Sequence, residues 1–189
     1  YGLIVLDSDD AAFKRAILPV MKDDLLHHNA NRIVTEQAGK LAEQYKTQAY
    51  PRDINLFYLQ DNLRERIERK DDRWLVLNTA ISWSEQELVE ELETHPERFS
   101  PNVILRGLLQ ESILPNVAFI GGGAEVAYWL QLKELFNHYK VFYPVILLRQ
   151  SVLWIEPVAG ELQEKTGMRT EDLFKPNQQL VNEYVATRS

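Results

Sequence analysis

The sequence predicts an α/β protein: a parallel sheet, a small antiparallel meander inserted into it, and trailing helices. Two observations set the class. The first is "NVAFIGGGAEVAYWLQLKELFNHY" followed by "PVILLR": a short apolar run, a glycine turn, a helical pattern and a second apolar run. Strand, helix, strand in that order implies parallel pairing with a right-handed crossover. The second is "INLFYLQDNLRERIERKDDRWLVLN", where turn-like breaks separate three short runs. That is the mark of a meander with one face partly exposed.

Taken in order, "GLIVLD" reads as a buried strand ending at Asp7. A helical stretch follows, "DDAAFKRAILPVMKDDLLHH", in which Pro19 predicts a kink or break. A further helix is expected over residues 31–45. The meander turns fall at Asp61 and Asn62 and at Lys70 to Asp72. Ser84 and Glu87 have capping-box spacing, with Trp83 and Leu88 placed as a hydrophobic staple. A second start is expected at "FSP", with Ser100 as N-cap, Pro101 at N1 and Phe99 stapled to Ile104. Asn102, Arg106 and Gln110 then share one helix face. "PVILLR" is apolar without alternation, as in a parallel strand covered on both sides. "VLWIEP" is a candidate further strand, and the remainder reads as helical. The chain opens inside a strand without a methionine and closes in a helix, so it reads as an excerpt of a longer protein.

The composition narrows the functional classes. Apolar residues make up 45% of the 189, which places the chain among folded proteins. No apolar run approaches the roughly 20 residues of a membrane helix, so no membrane partner is expected. The net charge is -7 and basic residues are mixed with acids, so nucleic acid is not an expected partner either. There is no cysteine, and no histidine pair has zinc spacing, so no metal site is expected. A cytoplasmic location fits these features.

The glycine turn matches no standard phosphate motif. Gly121 and Gly123 satisfy the first part of G-x-G-x-x-G, but Val126 stands at the third glycine. The next strand ends in Arg149 rather than in a ribose-binding acid, and no G-K-[ST] follows the turn. Glu125 lies in the first turn of the helix, where it either faces a pocket and repels phosphate or simply stabilises the helix end. Ligands of open parallel sheets bind outside the carboxyl ends of the strands. Asp7, the turn from Gly121 through Gly122 to Gly123, and Arg149 would line that edge. Arg149 could grip a carboxylate in bidentate fashion or pair with Glu156 or another surface acid. Asp7 could bind a ligand or cap the next helix. Arg52, Asp53 and Asn55 in "PRDIN" form either a ligand loop or a local turn. The Asn102, Arg106 and Gln110 face could contact a ligand or cap a loop. Tyr128 and Trp129 fit core positions against the sheet better than a stacking platform.

"QAYPRDINLFYL", "HPERFSPNVILRGLLQESILPNVAFIGGGAEVAYWLQLK" and "YPVILLR" together resemble the bacillithiol biosynthesis cysteine-adding enzyme family. The resemblance implies a Rossmann-like core with a connecting insertion, and a helical coiled coil that supports a homodimer. On that basis residues 1–50 and 101–157 belong to the core and residues 51–100 to the insertion. Residues 158–189 would lead toward the coiled coil. The implied activity joins the carboxyl of cysteine to the amine of glucosaminyl malate. ATP or another nucleotide is the expected activator, since a free carboxylate is a poor acyl donor. The family block maps onto Arg52, Asn55, Arg106, Gln110, Gly121, Gly122, Glu125, Tyr128 and Arg149. Glu125 and Arg149 are the candidate catalytic residues. Asp7, Gly123 and the other mapped positions are candidates for substrate binding. Two other readings are a nucleotide-sugar transferase and a non-catalytic coiled-coil interaction protein.

Overall fold

A computed structural model describes residues 2–186. The chain divides into two units, residues 2–149 and 150–186. The first opens with three helices: α1 (Ala11–Arg15), α2 (Leu18–His27) and α3 (Asn29–Leu41). The Asp10 carboxylate accepts from the Ala12 N–H at 2.7 Å and caps α1. The expected break falls at Ile17, and Pro19 lies in the first turn of α2, where its missing N–H costs nothing. His28 separates α2 from α3 with a left-handed backbone, φ 57°.

The meander forms as expected. β1 (Leu56–Gln60), β2 (Leu63–Lys70) and β3 (Arg73–Val76) pair antiparallel in succession. Asn62 and Asp71 take positive φ at the two turns, which these short polar side chains tolerate. β4 (Ser82–Trp83) and β5 (Phe99–Pro101) extend the sheet to the order β4-β3-β2-β1-β5. Between them α4 (Glu85–Thr94) starts on the expected capping box. The Ser84 N–H donates to Glu87 at 2.7 Å, and the Glu87 N–H to the Ser84 hydroxyl at 3.4 Å.

The next helix start differs from expectation. Ser100 and Pro101 lie in β5, paired with Phe57 and Leu56, and Asn102 is the N-cap of α5 (Val103–Ile113). Its side chain accepts from the Ile104 N–H at 2.8 Å. Local capping signals of similar strength stand two residues apart, and strand pairing with β1 selects the later one.

β6 (Ala118–Gly121), α6 (Gly123–Tyr139) and β7 (Val145–Leu148) form the expected β-α-β unit, with β6 and β7 parallel. Three expectations about its surroundings fail. Residues 2–7 carry no strand, and the side chains of Leu3 to Leu6 are exposed. "VLWIEP" is also irregular and largely exposed. β7 is not covered on both sides: Val145 is 58% and Leu148 66% exposed. An apolar run reports a preference for burial. Whether a neighbouring strand is there to satisfy it is a separate matter, and among the described residues this sheet has two strands.

One apolar core joins the elements of the first unit. It includes Met21 and Leu25 of α2, Tyr58 and Trp74 of the meander, Leu105 and Leu108 of α5, and Trp129 and Phe136 of α6. Trp129 stacks on Phe119 with ring centroids 4.3 Å apart, so it is core, as expected of an aromatic on the helix of a β-α-β unit. Polar pins fix the connections. The Trp74 indole donates to the Leu25 carbonyl at 2.8 Å. Gln131 accepts from the Gln48 and Ala49 N–H groups and donates to the Ala49 carbonyl. Buried Glu111 accepts from both the backbone and the side chain of Asn116 (2.8 and 2.9 Å), which sets the path from α5 into β6.

The second unit contains α7 (Pro157–Thr166), a 3-10 turn (Thr170–Phe174) and α8 (Asn177–Ala186). Gly167 ends α7 at φ 72°, and Lys175 pairs with Asp172 and Glu183 at 2.8 and 2.6 Å. Neither helix buries a residue. No helix among the described residues is long and apolar enough to cross a membrane.

Candidate active site at the strand ends

The glycine turn is positioned by hydrogen bonds on both sides. The Arg149 N–H donates to the Gly121 carbonyl at 2.7 Å, carrying the parallel ladder one step past β7. The Gly122 N–H donates to the Glu125 Oε2 at 2.8 Å. The Arg149 guanidinium lies over Gly122: a Cβ there would stand 3.3 Å from its Nη2 and 3.5 Å from Glu125 Oε2. Arg149 makes no ion pair among the described residues. A guanidinium with no ion pair among the described residues, a carboxylate and a bare backbone therefore meet at one point.

Tyr128 feels the charges of both Glu125 and Arg106. The Tyr128 hydroxyl is pushed above its ordinary range by burial; the Glu125 charge adds to this, while Trp129 and the Arg106 charge oppose it. Arg106 has no ion pair among the described residues. Its charge also reaches Lys14, whose ammonium is fully buried. Lys14 donates to the Asp9 carboxylate at 2.9 Å and to the Phe99 carbonyl at 2.7 Å. Burial lowers the Lys14 pKa, against the pull of Asp9 and Asp7. Ser8, Asp9, Lys14, Ser100 and Arg106 line a small cleft here. Asp7 caps its own turn by accepting from the Asp9 N–H at 3.0 Å. An apolar cavity of about 230 Å³ flanks the other side of the turn, floored by Val126, Ala127, Leu130 and Leu148.

Other expected site residues make their contacts elsewhere. Asn55 is buried: it donates to Asp24 and to the Arg52 carbonyl, and accepts from the Arg52 N–H and from Asn102. Asn102 is tied to it and to its own helix end. Gln110 lies in the last turn of α5 and donates to Glu111 at 3.0 Å. Arg52 lines a separate cleft together with Arg66 and Arg69.

The family described as bacillithiol biosynthesis BshC, N-terminal Rossmann-like domain, matches residues 1–150. This chain belongs to that family. A protein of Flavobacterium johnsoniae named "Putative cysteine ligase BshC" is 47% identical over 182 residues, 96% of this chain and 34% of its own length. One of the same name from Cytophaga hutchinsonii is 47% identical over 92% of this chain, and one from Bacillus pumilus 35% identical over 82%. The chain spans about a third of the length of the curated relatives it matches.

Within the BshC family domain, the turn does not have the form of a phosphate cradle. The Gly122 N–H, which would face a phosphate oxygen, is taken by Glu125, and a carboxylate at that point repels a second anion. The residues at this turn do not fit a nucleotide phosphate. Lys14 is the residue that sequence reasoning missed. Its signal was present: counted back from Ile17, Met21 and Leu25, Lys14 falls on the same buried stripe, where an unaccompanied lysine is rare.

Proposed function

We propose that the chain is part of a ligase that adds cysteine to glucosaminyl malate in the last step of bacillithiol biosynthesis, forming an amide. The cysteine carboxyl becomes the acyl group and the glucosamine amine the nucleophile. Family membership supports the reaction class. The observation that carries the site is the meeting of Arg149, Glu125 and Gly122, with Tyr128 and Arg106 beyond. Arg149 or Arg106 receives a malate carboxylate, for which a planar guanidinium is well shaped. Glu125 keeps Oε2 on the Gly122 N–H, and its other oxygen receives the substrate amine. Asp7 acts through the charge it places near Lys14.

ATP or another nucleotide, as activator of the cysteine carboxyl, has no seat at the glycine turn, so no step is assigned to one there. The reading extends to a cytoplasmic homodimer, held through a coiled coil toward which residues 158–189 lead.

The test is Glu125→Gln in the full-length protein. Glutamine keeps an oxygen for the Gly122 N–H but loses the charge, so the helix start survives. Thiol production should fall by one to two orders of magnitude with unchanged thermal stability. Wild-type production would remove Glu125 from the site.

A further inference from the structure

The meander carries a second polar cleft that the strand-end reading does not use. It has a volume of about 390 Å³ and lies between the 51–54 loop and β2. Arg52, Arg66 and Arg69 line it, with Asn31, Asp53 and Glu68. We propose that this cleft binds a small oxyanion, a molecule presenting phosphate or carboxylate oxygens.

Three observations support the assignment. First, the cations are not consumed by the protein. Among the described residues the side chains of Arg52 and Arg66 have neither an ion pair nor a hydrogen bond. Glu68 shares the cleft yet pairs with neither.

Second, the loop that presents Arg52 is braced from beneath. The buried Asn55 side chain accepts from the Arg52 N–H at 3.1 Å and donates to the Arg52 carbonyl at 2.8 Å. The Asp53 carbonyl is held by His28 Nδ1 at 2.7 Å, and the Asp53 carboxylate accepts from Asn31 at 3.3 Å. The loop that carries Arg52 is thereby fixed against α3 and the α2–α3 junction.

Third, Arg69 is pre-oriented. Its guanidinium lies 4.6 Å from the Trp74 ring centroid, and its Nε donates to the Asp71 carbonyl at 3.3 Å. It also lies 4.0 Å from Asp72, an exposed and weak pairing. A planar guanidinium held on an aromatic face needs little further ordering to form two parallel hydrogen bonds to one oxyanion.

The experiment measures the thermal midpoint of the protein at fixed ionic strength with added pyrophosphate, succinate or sodium chloride. The variants are Arg52→Gln/Arg66→Gln, Glu68→Gln, and Arg64→Gln as a control. Arg64 stacks on Phe57 and does not line the cleft. Pyrophosphate or succinate should raise the wild-type midpoint beyond matched chloride. The stronger of the two identifies a phosphoryl or a carboxylate ligand. The shift should persist in Arg64→Gln, shrink by at least half in the double variant and grow in Glu68→Gln. An equal shift in the double variant, or none beyond chloride in the wild type, overturns the proposal. Because Arg149, Arg106 and Glu125 are untouched in every variant, failure here leaves the ligase reading standing.

Discussion

Asp24 shows how much one buried carboxylate can organise. It accepts from the Asn55 N–H at 2.6 Å and from the Asn55 side-chain amide at 3.0 Å. Asn55 cannot turn its amide over, because its oxygen already serves Arg52 and Asn102. Asp24→Asn would therefore set a donor against a donor. The expected loss is about 1–3 kcal/mol, the usual cost of an unsatisfied buried group, read from urea unfolding at neutral pH. Burial pushes the Asp24 carboxyl up to about 7 from 3.8, partly opposed by the Asn55 bonds. Between those values the folded protein holds a proton that the unfolded chain has released. The group's contribution to stability is thus full below about pH 4 and is lost as pH rises through 7. Unfolding free energy followed from pH 5 to 8 should carry this downward component in the wild type and lack it in Asp24→Asn. The same residue marks a limit of sequence reading. Asn55 was legible as a polar residue in a special place, but its partner lies 31 positions away and no spacing rule connects them.

At the scale of elements, the glycine turn makes two opposite predictions for neighbouring positions. Gly122 has an ordinary φ of -67°, so alanine there is not strained. Its Cβ would crowd the Arg149 guanidinium at 3.3 Å. Gly122→Ala should fold with a midpoint near that of the wild type yet depress thiol production in the full-length protein. At Gly121 the added Cβ would stand 2.7 Å from the Phe119 ring and 3.0 Å from the Glu125 Cβ. Gly121→Ala should cost about 1–3 kcal/mol through overpacking, seen as a lowered midpoint. The meander turns and the Ser84 cap could be read from the sequence because each is set by neighbours within a few residues, and the β-α-β unit because its two strands flank a single helix in the chain. The start of α5 could not, because pairing of β5 with β1 overrides the local choice. The expectation for "GLIVLD" failed for a related reason: a strand is a relation between two segments, and the sequence describes only one of them. The charged residues of the candidate site were legible as types, and Lys14 was hidden because it looks like an ordinary surface lysine until its register is counted.

For the molecule as a whole, the boundary after Arg149 is the feature to test. Residues 150–155 are irregular and mostly exposed, and the core belongs entirely to the first unit. Limited trypsin digestion should cut early after Arg149 and leave a resistant fragment ending there, identified by mass spectrometry. Equal cutting throughout residues 2–149 would contradict the division. β6 and β7 carry a further consequence for anyone handling this chain. Two parallel strands with Ile120, Val145 and Leu147 exposed offer strand edges and an oily face to whatever drifts past. In a concentrated solution copies should stick to one another there, so turbidity that grows with protein concentration would report on that exposed pair of strands rather than on misfolding.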